Sequence, residues 1–178
     1  MVRVLPGCLL VVLCLLLPGR AAAGDGELVL SLDPIYSTID WDQRQPHGGG
    51  LALEAQYGLS DSLWLSGTWF YAAHDAKARD TLPAGLLSVG GAFVGLDYSF
   101  DVLRVIPFVQ LGLGAFLEHG AGYATAMDFG LHAGLGADFL VTRGFSLGLV
   151  VRYYAFLTNI DTIPVYLQAG LRVSWRWD

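Results

Sequence analysis

The stretch Val165-Tyr166-Leu167-Gln168-Ala169-Gly170-Leu171-Arg172-Val173-Ser174-Trp175-Arg176-Trp177 alternates without a break. Its odd positions are all apolar, and its even positions are Tyr, Gln, Gly, Arg, Ser and Arg. Successive side chains of a strand point to opposite faces, so this segment has one oily face and one mixed face. The same reading extends upstream. Leu51, Leu53, Ala55, Tyr57 and Leu59 oppose Ala52, Glu54, Gln56 and Gly58. Val105, Pro107, Val109, Leu111, Leu113 and Ala115 oppose Ile106, Phe108, Gln110, Gly112, Gly114 and Phe116. The runs that start at Phe129 and Phe145 behave alike, with Gly, His, Asp, Ser and Arg on the second face.

Taken together the periodicity predicts eight strands, near 27–36, 49–59, 63–73, 87–100, 105–117, 128–141, 145–157 and 164–177. Tight turns at Ser60-Asp61-Ser62, Asp101 to Arg104 and Thr142-Arg143-Gly144 alternate with longer connections at 37–48, 74–86, 118–127 and 158–163. An even strand count with short turns on one rim and long loops on the other is the layout of an outer-membrane barrel. Both chain ends then fall on the short-turn, periplasmic side. Membrane helices do not fit, since a span needs about 18 or more apolar residues. The longest uncharged window after the first two dozen residues lies between Asp80 and Asp97, and Pro83, Gly85, Gly90, Gly91 and Gly95 interrupt it.

Composition narrows the class further. The 178 residues are 54% hydrophobic and 15% charged, with 23 glycines and a net charge of −6. So apolar a chain without a glycine period is neither disordered nor collagen-like. The acidic balance argues against a nucleic-acid partner, which calls for a basic face. Residues 1–23 form an address: Arg3, an apolar core from Cys8 to Leu17, the breaker Pro18-Gly19, then small Ala21-Ala22-Ala23. This predicts a cleaved secretory signal peptide, with residues 24–178 forming the barrel domain. Both cysteines, Cys8 and Cys14, would leave with it.

A secreted lipocalin-like carrier has the same strand number but an apolar lumen and a charged exterior. Here the mixed face is mostly glycine with isolated Gln, Glu, His, Asp and Arg, too sparse for a solvated surface. It fits a narrow interior, and the charge-free face fits lipid. Aromatics support this, because Tyr98, Phe100, Phe139, Phe145, Trp175 and Trp177 gather near the tight turns. Trp69 and Tyr71, with Phe129 and Tyr153, lie nearer the long loops. Two such bands make the interfacial girdles of a membrane barrel.

With its apparent signal, runs such as Pro107-Phe108-Val109-Gln110-Leu111-Gly112-Leu113-Gly114 and the final strand through Trp177, the chain resembles the small eight-stranded outer-membrane proteins of the outer membrane protein A transmembrane-domain type. The resemblance implies an all-β, antiparallel, up-and-down transmembrane barrel in the bacterial outer membrane. It implies a monomer without cofactor or metal, in contact with outer-membrane lipid and lipopolysaccharide, without a periplasmic tether domain. The last strand is similar to the C-terminal signal read by the barrel assembly machinery, although Asp178 follows the aromatic Trp177.

Candidate chemistry lies mostly inside. Asp33, Glu54 and Arg172 each sit about five residues up from the periplasmic rim, on strands that become neighbours on closure. They predict an interior ion cluster, with Arg152 joining from the seventh strand. The bland role is a plug, and the functional one is a gated ion path through a narrow channel. For a lipid-modifying enzyme, His74-Asp75 in a loop could form half of a triad with Ser88 or Thr81. His47, His74 and His119 are expected in three different loops, without the coupled spacing a metal site needs, and His132 points inward. The outer loops would present Trp41, His47, Lys77, Arg79, Glu118 and Tyr123 to lipopolysaccharide or an external partner. The inside-outside assignment predicts that Leu149→Arg blocks assembly, since a mid-depth arginine facing lipid costs about 2–4 kcal/mol. Gln110→Ala, facing inward, is expected to be tolerated, and the gel shift between boiled and unboiled protein reads both outcomes.

Overall fold

Leu28 at the start of the first strand lies beside Trp177 at the end of the last, and that seam closes the sheet on itself. The computed structural model describes residues 26–40, 46–76, 84–100, 104–120, 123–157 and 165–177. They form eight strands: β1 (Leu28–Asp40), β2 (His47–Gly58), β3 (Leu63–Ala76), β4 (Gly85–Ser99), β5 (Val105–Gly120), β6 (Tyr123–Thr142), β7 (Phe145–Phe156) and β8 (Val165–Trp177). Every neighbour is antiparallel and follows in chain order, so the fold is an all-β, up-and-down closed barrel. No helix among the described residues is long and apolar enough to cross a membrane. The proposed signal segment lies outside the described residues, as do Trp41, Lys77, Arg79 and Thr81.

Polarity is inverted relative to a soluble protein. Leu111, Leu149 and Leu171 are 66%, 61% and 62% exposed, whereas Gln110, Arg152 and Arg172 are each 1% exposed. A soluble carrier would show the reverse, so the lipocalin-like alternative fails. The exterior belongs in hydrocarbon, where closure satisfies the backbone without water. Tyr98, Phe100, Phe139, Trp175 and Trp177 are exposed on the short-turn rim, and Trp69, Tyr71, Phe129 and Tyr153 are exposed farther up. Phe145, half-buried, packs on Trp175 at 5.9 Å, and Tyr98 meets Phe100 edge-on at 4.9 Å.

The strands run longer than the alternation indicated, mainly at the long-loop rim. β1 continues to Asp40, β3 to Ala76, and β5 to Gly120. The expected loop at 118–127 is therefore mostly sheet, since β6 already starts at Tyr123. Only residues 121 and 122 join the pair, so this connection is not long. The hairpin bends at a register shift between Glu118 and Gly120, and Gly120 takes φ +106°, which favours glycine. The physical reason for the missed ends is depth. About 9–11 residues cross a bilayer, and beyond it either face tolerates polar residues, so period two fades while the ladder continues.

Glycines on the inner wall make room for rings. A methyl added at Gly136 would meet the Phe108 ring and the Leu149 carbonyl, whereas one added at Gly67 meets nothing within 4 Å. Gly136→Ala is therefore expected to lower the urea midpoint of the detergent-folded barrel, through a loss of unfolding free energy typical of overpacking, about 1–3 kcal/mol. Gly67→Ala should leave that midpoint nearly unchanged.

Candidate functional site

Alternation along five strands turns Asp33 of β1, Glu54 of β2, Gln110 of β5, Arg152 of β7 and Arg172 of β8 into the lumen, all buried. The structure brings them into one network. Arg152 Nη2 lies 2.8 Å from Asp33 Oδ2 and 2.6 Å from Glu54 Oε2. Arg172 Nε lies 3.2 Å from Asp33 Oδ1, and its Nη2 lies 2.8 Å from Glu54 Oε2. Each carboxylate thus meets both guanidiniums. Arg152 is the hub, not a peripheral member, because its Nε also donates to Gln110 Oε1 at 3.1 Å.

Neutral donors complete the layer. Gln110 Nε2 donates to Glu54 Oε1 at 3.0 Å and to Asp97 Oδ2 at 2.8 Å, while Thr68 Oγ1 donates to Glu54 Oε2 at 3.2 Å. Asp97, absent from the expected cluster, also accepts from Gln56 Nε2 at 2.5 Å and Ser66 Oγ at 2.8 Å. Gln110 therefore bridges two carboxylates and an arginine. This corrects the expectation that Gln110→Ala is tolerated, since truncation would strand buried donors and acceptors. The signal for Asp97 was present: it faces inward two residues above the rim end of β4. Arg172 also places its guanidinium carbon 4.7 Å from the centre of the Phe108 ring.

Above this ionic tier, toward the long-loop rim, sits an aromatic one. Phe70, Phe93, Phe116, Tyr154, Phe156 and Tyr166 form a buried cluster with Ile35, Ile39, Leu87 and Val89. Phe116 stacks on Phe156 at 4.2 Å, and Phe93 meets Phe116 edge-on at 4.9 Å. The facing glycine wall is occupied, because a methyl at Gly91 or Gly130 would come within 2.5 Å of Phe70 or Phe116. At the opposite end, Arg176 Nε lies 3.1 Å from Glu27 Oε1, with its guanidinium over Trp64.

Three of the four histidines are not where the sequence placed them. His47, His74 and His119 lie on β2, β3 and β5, not in loops. His74 is buried while Asp75 is exposed on the opposite face, which separates the proposed half-triad. Ser88 instead shares a hydrogen bond with Tyr71 on the exterior, 2.9 Å long. The serine that does meet His74 is Ser37, with Oγ 2.8 Å from Nε2, a contact that needs the β1 and β3 extensions to exist. His74 Nδ1 faces the Leu87 carbonyl at 3.4 Å, and Tyr166 packs edge-on against the ring. A serine–histidine pair is the start of a nucleophilic site. This one is walled in, since a methyl on Gly48 alone would collide with the ring at 2.6 Å.

Among the other outer-loop candidates, Glu118 is buried in the lumen and does not face outward, and His47 is exposed on the barrel wall with Nδ1 2.7 Å from Tyr36 Oη. Tyr123 begins β6. His132 faces inward as expected, edge-on to Phe93. Among the described residues no group of three or more His, Cys, Asp or Glu is placed to hold a metal.

A closed antiparallel barrel of eight strands, oily outside and ionic within, defines a small transmembrane barrel of the outer-membrane type. Solved structures agree on that fold. The attachment invasion locus protein Ail of Yersinia pestis matches with a TM-score of 0.63 and 16% identity, covering 86% of this chain and 99% of that one. Neisserial surface protein A matches at 0.61 and 17% identity, covering 85% and 98%. OprG from Pseudomonas aeruginosa matches at 0.61 and 11% identity, covering 88% and 98%. No family profile and no curated protein matches the sequence.

The network makes a quantitative prediction. Breaking a buried ion pair from one side leaves uncompensated charge, so Arg152→Ala should cost about 3–5 kcal/mol in urea unfolding. Ser31→Ala, which loses only the 2.8 Å contact with Ser174, should cost about 1 kcal/mol. Equal losses would mean that the ionic tier has no special weight.

Proposed function

We propose that the protein is a monomeric barrel of the bacterial outer membrane with a closed lumen, acting structurally or through surface contacts made at its long-loop rim. One observation carries this reading: two stacked internal tiers, one ionic and one aromatic, fill the bore while the exterior is apolar. An aqueous pore needs a continuous polar path, and the aromatic tier interrupts it. A lipid-modifying activity finds no support in the only serine–histidine contact described in the lumen, because that pair is enclosed.

In this reading the tight turns and both chain ends face the periplasm, after removal of a signal ending near Ala23. Insertion by the barrel assembly machinery would use β8, whose apolar face ends in Trp175 and Trp177. Lipopolysaccharide is the proposed neighbour of the long-loop rim, where Tyr36 and His47 stack on the exterior at 5.9 Å. No cofactor is assigned.

Two measurements test this. The unboiled protein should migrate differently from boiled protein on a detergent gel, as a folded barrel does. In planar bilayers the folded protein should carry no sustained current. Regular conductance steps would replace the closed-lumen reading with a narrow channel.

A further inference from the structure

The exposed cations of the described chain are not spread evenly. Arg152 and Arg172 are buried, and Arg176 pairs with Glu27. Among the described residues the exposed arginines are Arg104 and Arg143, and neither has an ion-pair partner there. Both lie at the short-turn rim, on consecutive turns that flank the β5–β6 pair. The Leu140 amide donates to the Arg104 carbonyl at 2.8 Å, and Arg143 follows only three residues later, so the two turns are side by side. Beneath them the lipid face presents Val105, Phe139 and Val141, all exposed.

We infer that Arg104 and Arg143 bind the phosphate of an anionic membrane lipid whose acyl chains lie along Val105, Phe139 and Val141. The inference rests on the membrane placement proposed above. Guanidinium groups hold phosphate oxygens well, and each basic residue near a charged leaflet favours anionic lipid. A free anion would use only the arginines. The ligand here must also be an amphiphile, because the cationic pair sits directly on the hydrocarbon-facing wall. That a chain of net charge −6 places two arginines here, neither with an ion-pair partner among the described residues, makes the site local, not a general electrostatic attraction.

The test uses the folded full chain in vesicles of brominated lipid, which quench nearby tryptophan. Trp175 and Trp177 are the reporters. They are exposed at the same rim, and the Arg176 amide between them donates to Gly144 beside Arg143. Brominated phosphatidylglycerol, at low mole fraction in phosphatidylcholine, should quench more strongly than brominated phosphatidylcholine at the same fraction. The preference should be roughly fivefold per arginine in lipid partition, and it should weaken as salt is raised. Arg104→Gln/Arg143→Gln should abolish the preference while keeping the heat-dependent gel shift, and Arg104→Lys/Arg143→Lys should keep most of it. Added inorganic phosphate at constant ionic strength should not compete. Equal quenching by the two lipids, a preference that survives in the glutamine variant, or displacement by free phosphate would overturn the inference. Absence of quenching by either lipid would instead remove the membrane placement on which it depends.

Discussion

A bore that only just admits side chains governs this molecule. Eight strands enclose about enough room for packed residues and no more, so each inward position must be matched by its opposite wall. Large groups from β3, β4, β5 and β7 reach across to glycines on their neighbours. Phe70 fills the space before Gly91, Phe116 that before Gly130, and Phe108 that before Gly136. The same narrowness forces the charged residues together. Once Asp33 and Glu54 face inward from adjacent strands, their repulsion has to be offset locally, and Arg172 of the neighbouring β8 and Arg152 of β7 do so.

The two tiers resist water for different reasons. In the ionic tier the polar groups are committed to each other, so a water molecule or ion entering must break charged hydrogen bonds. In the aromatic tier there is little to hydrate at all. Stacked in series, the two tiers fill the bore with strand side chains over the described residues, in contrast to larger barrels that leave an open channel.

Period two made the fold legible, because lipid allows no exception on the outer face and glycine or charge marks the inner one. The pairing of Asp33, Glu54, Arg152 and Arg172 was open to counting along the strands. The central place of Arg152 was not, since the barrel's shear shifts its level relative to Arg172 by an amount that alternation does not record. Gln110 and Asp97 were visible as inward polar residues, yet neutral amides and lone acids carry no sign of their partners. The misread region is the long-loop rim. There the ladder outlasts the membrane, so Glu118 and His74 read as loop residues although sheet geometry turns both inward. The contact between Ser37 and His74 was hidden by the same error, because each lies beyond the strand end that hydropathy suggested.

The seam from Leu28 to Trp177 joins residues almost a full chain length apart. Loop closure over such a separation is slow and entropically costly, and nothing earlier in the chain can substitute for it. Seven strands alone would expose two raw edges to hydrocarbon. Folding is thereby made all-or-none with respect to synthesis: the chain has to be kept unfolded in transit until its last strand has arrived, and any catalyst of insertion gains most by holding the two ends together.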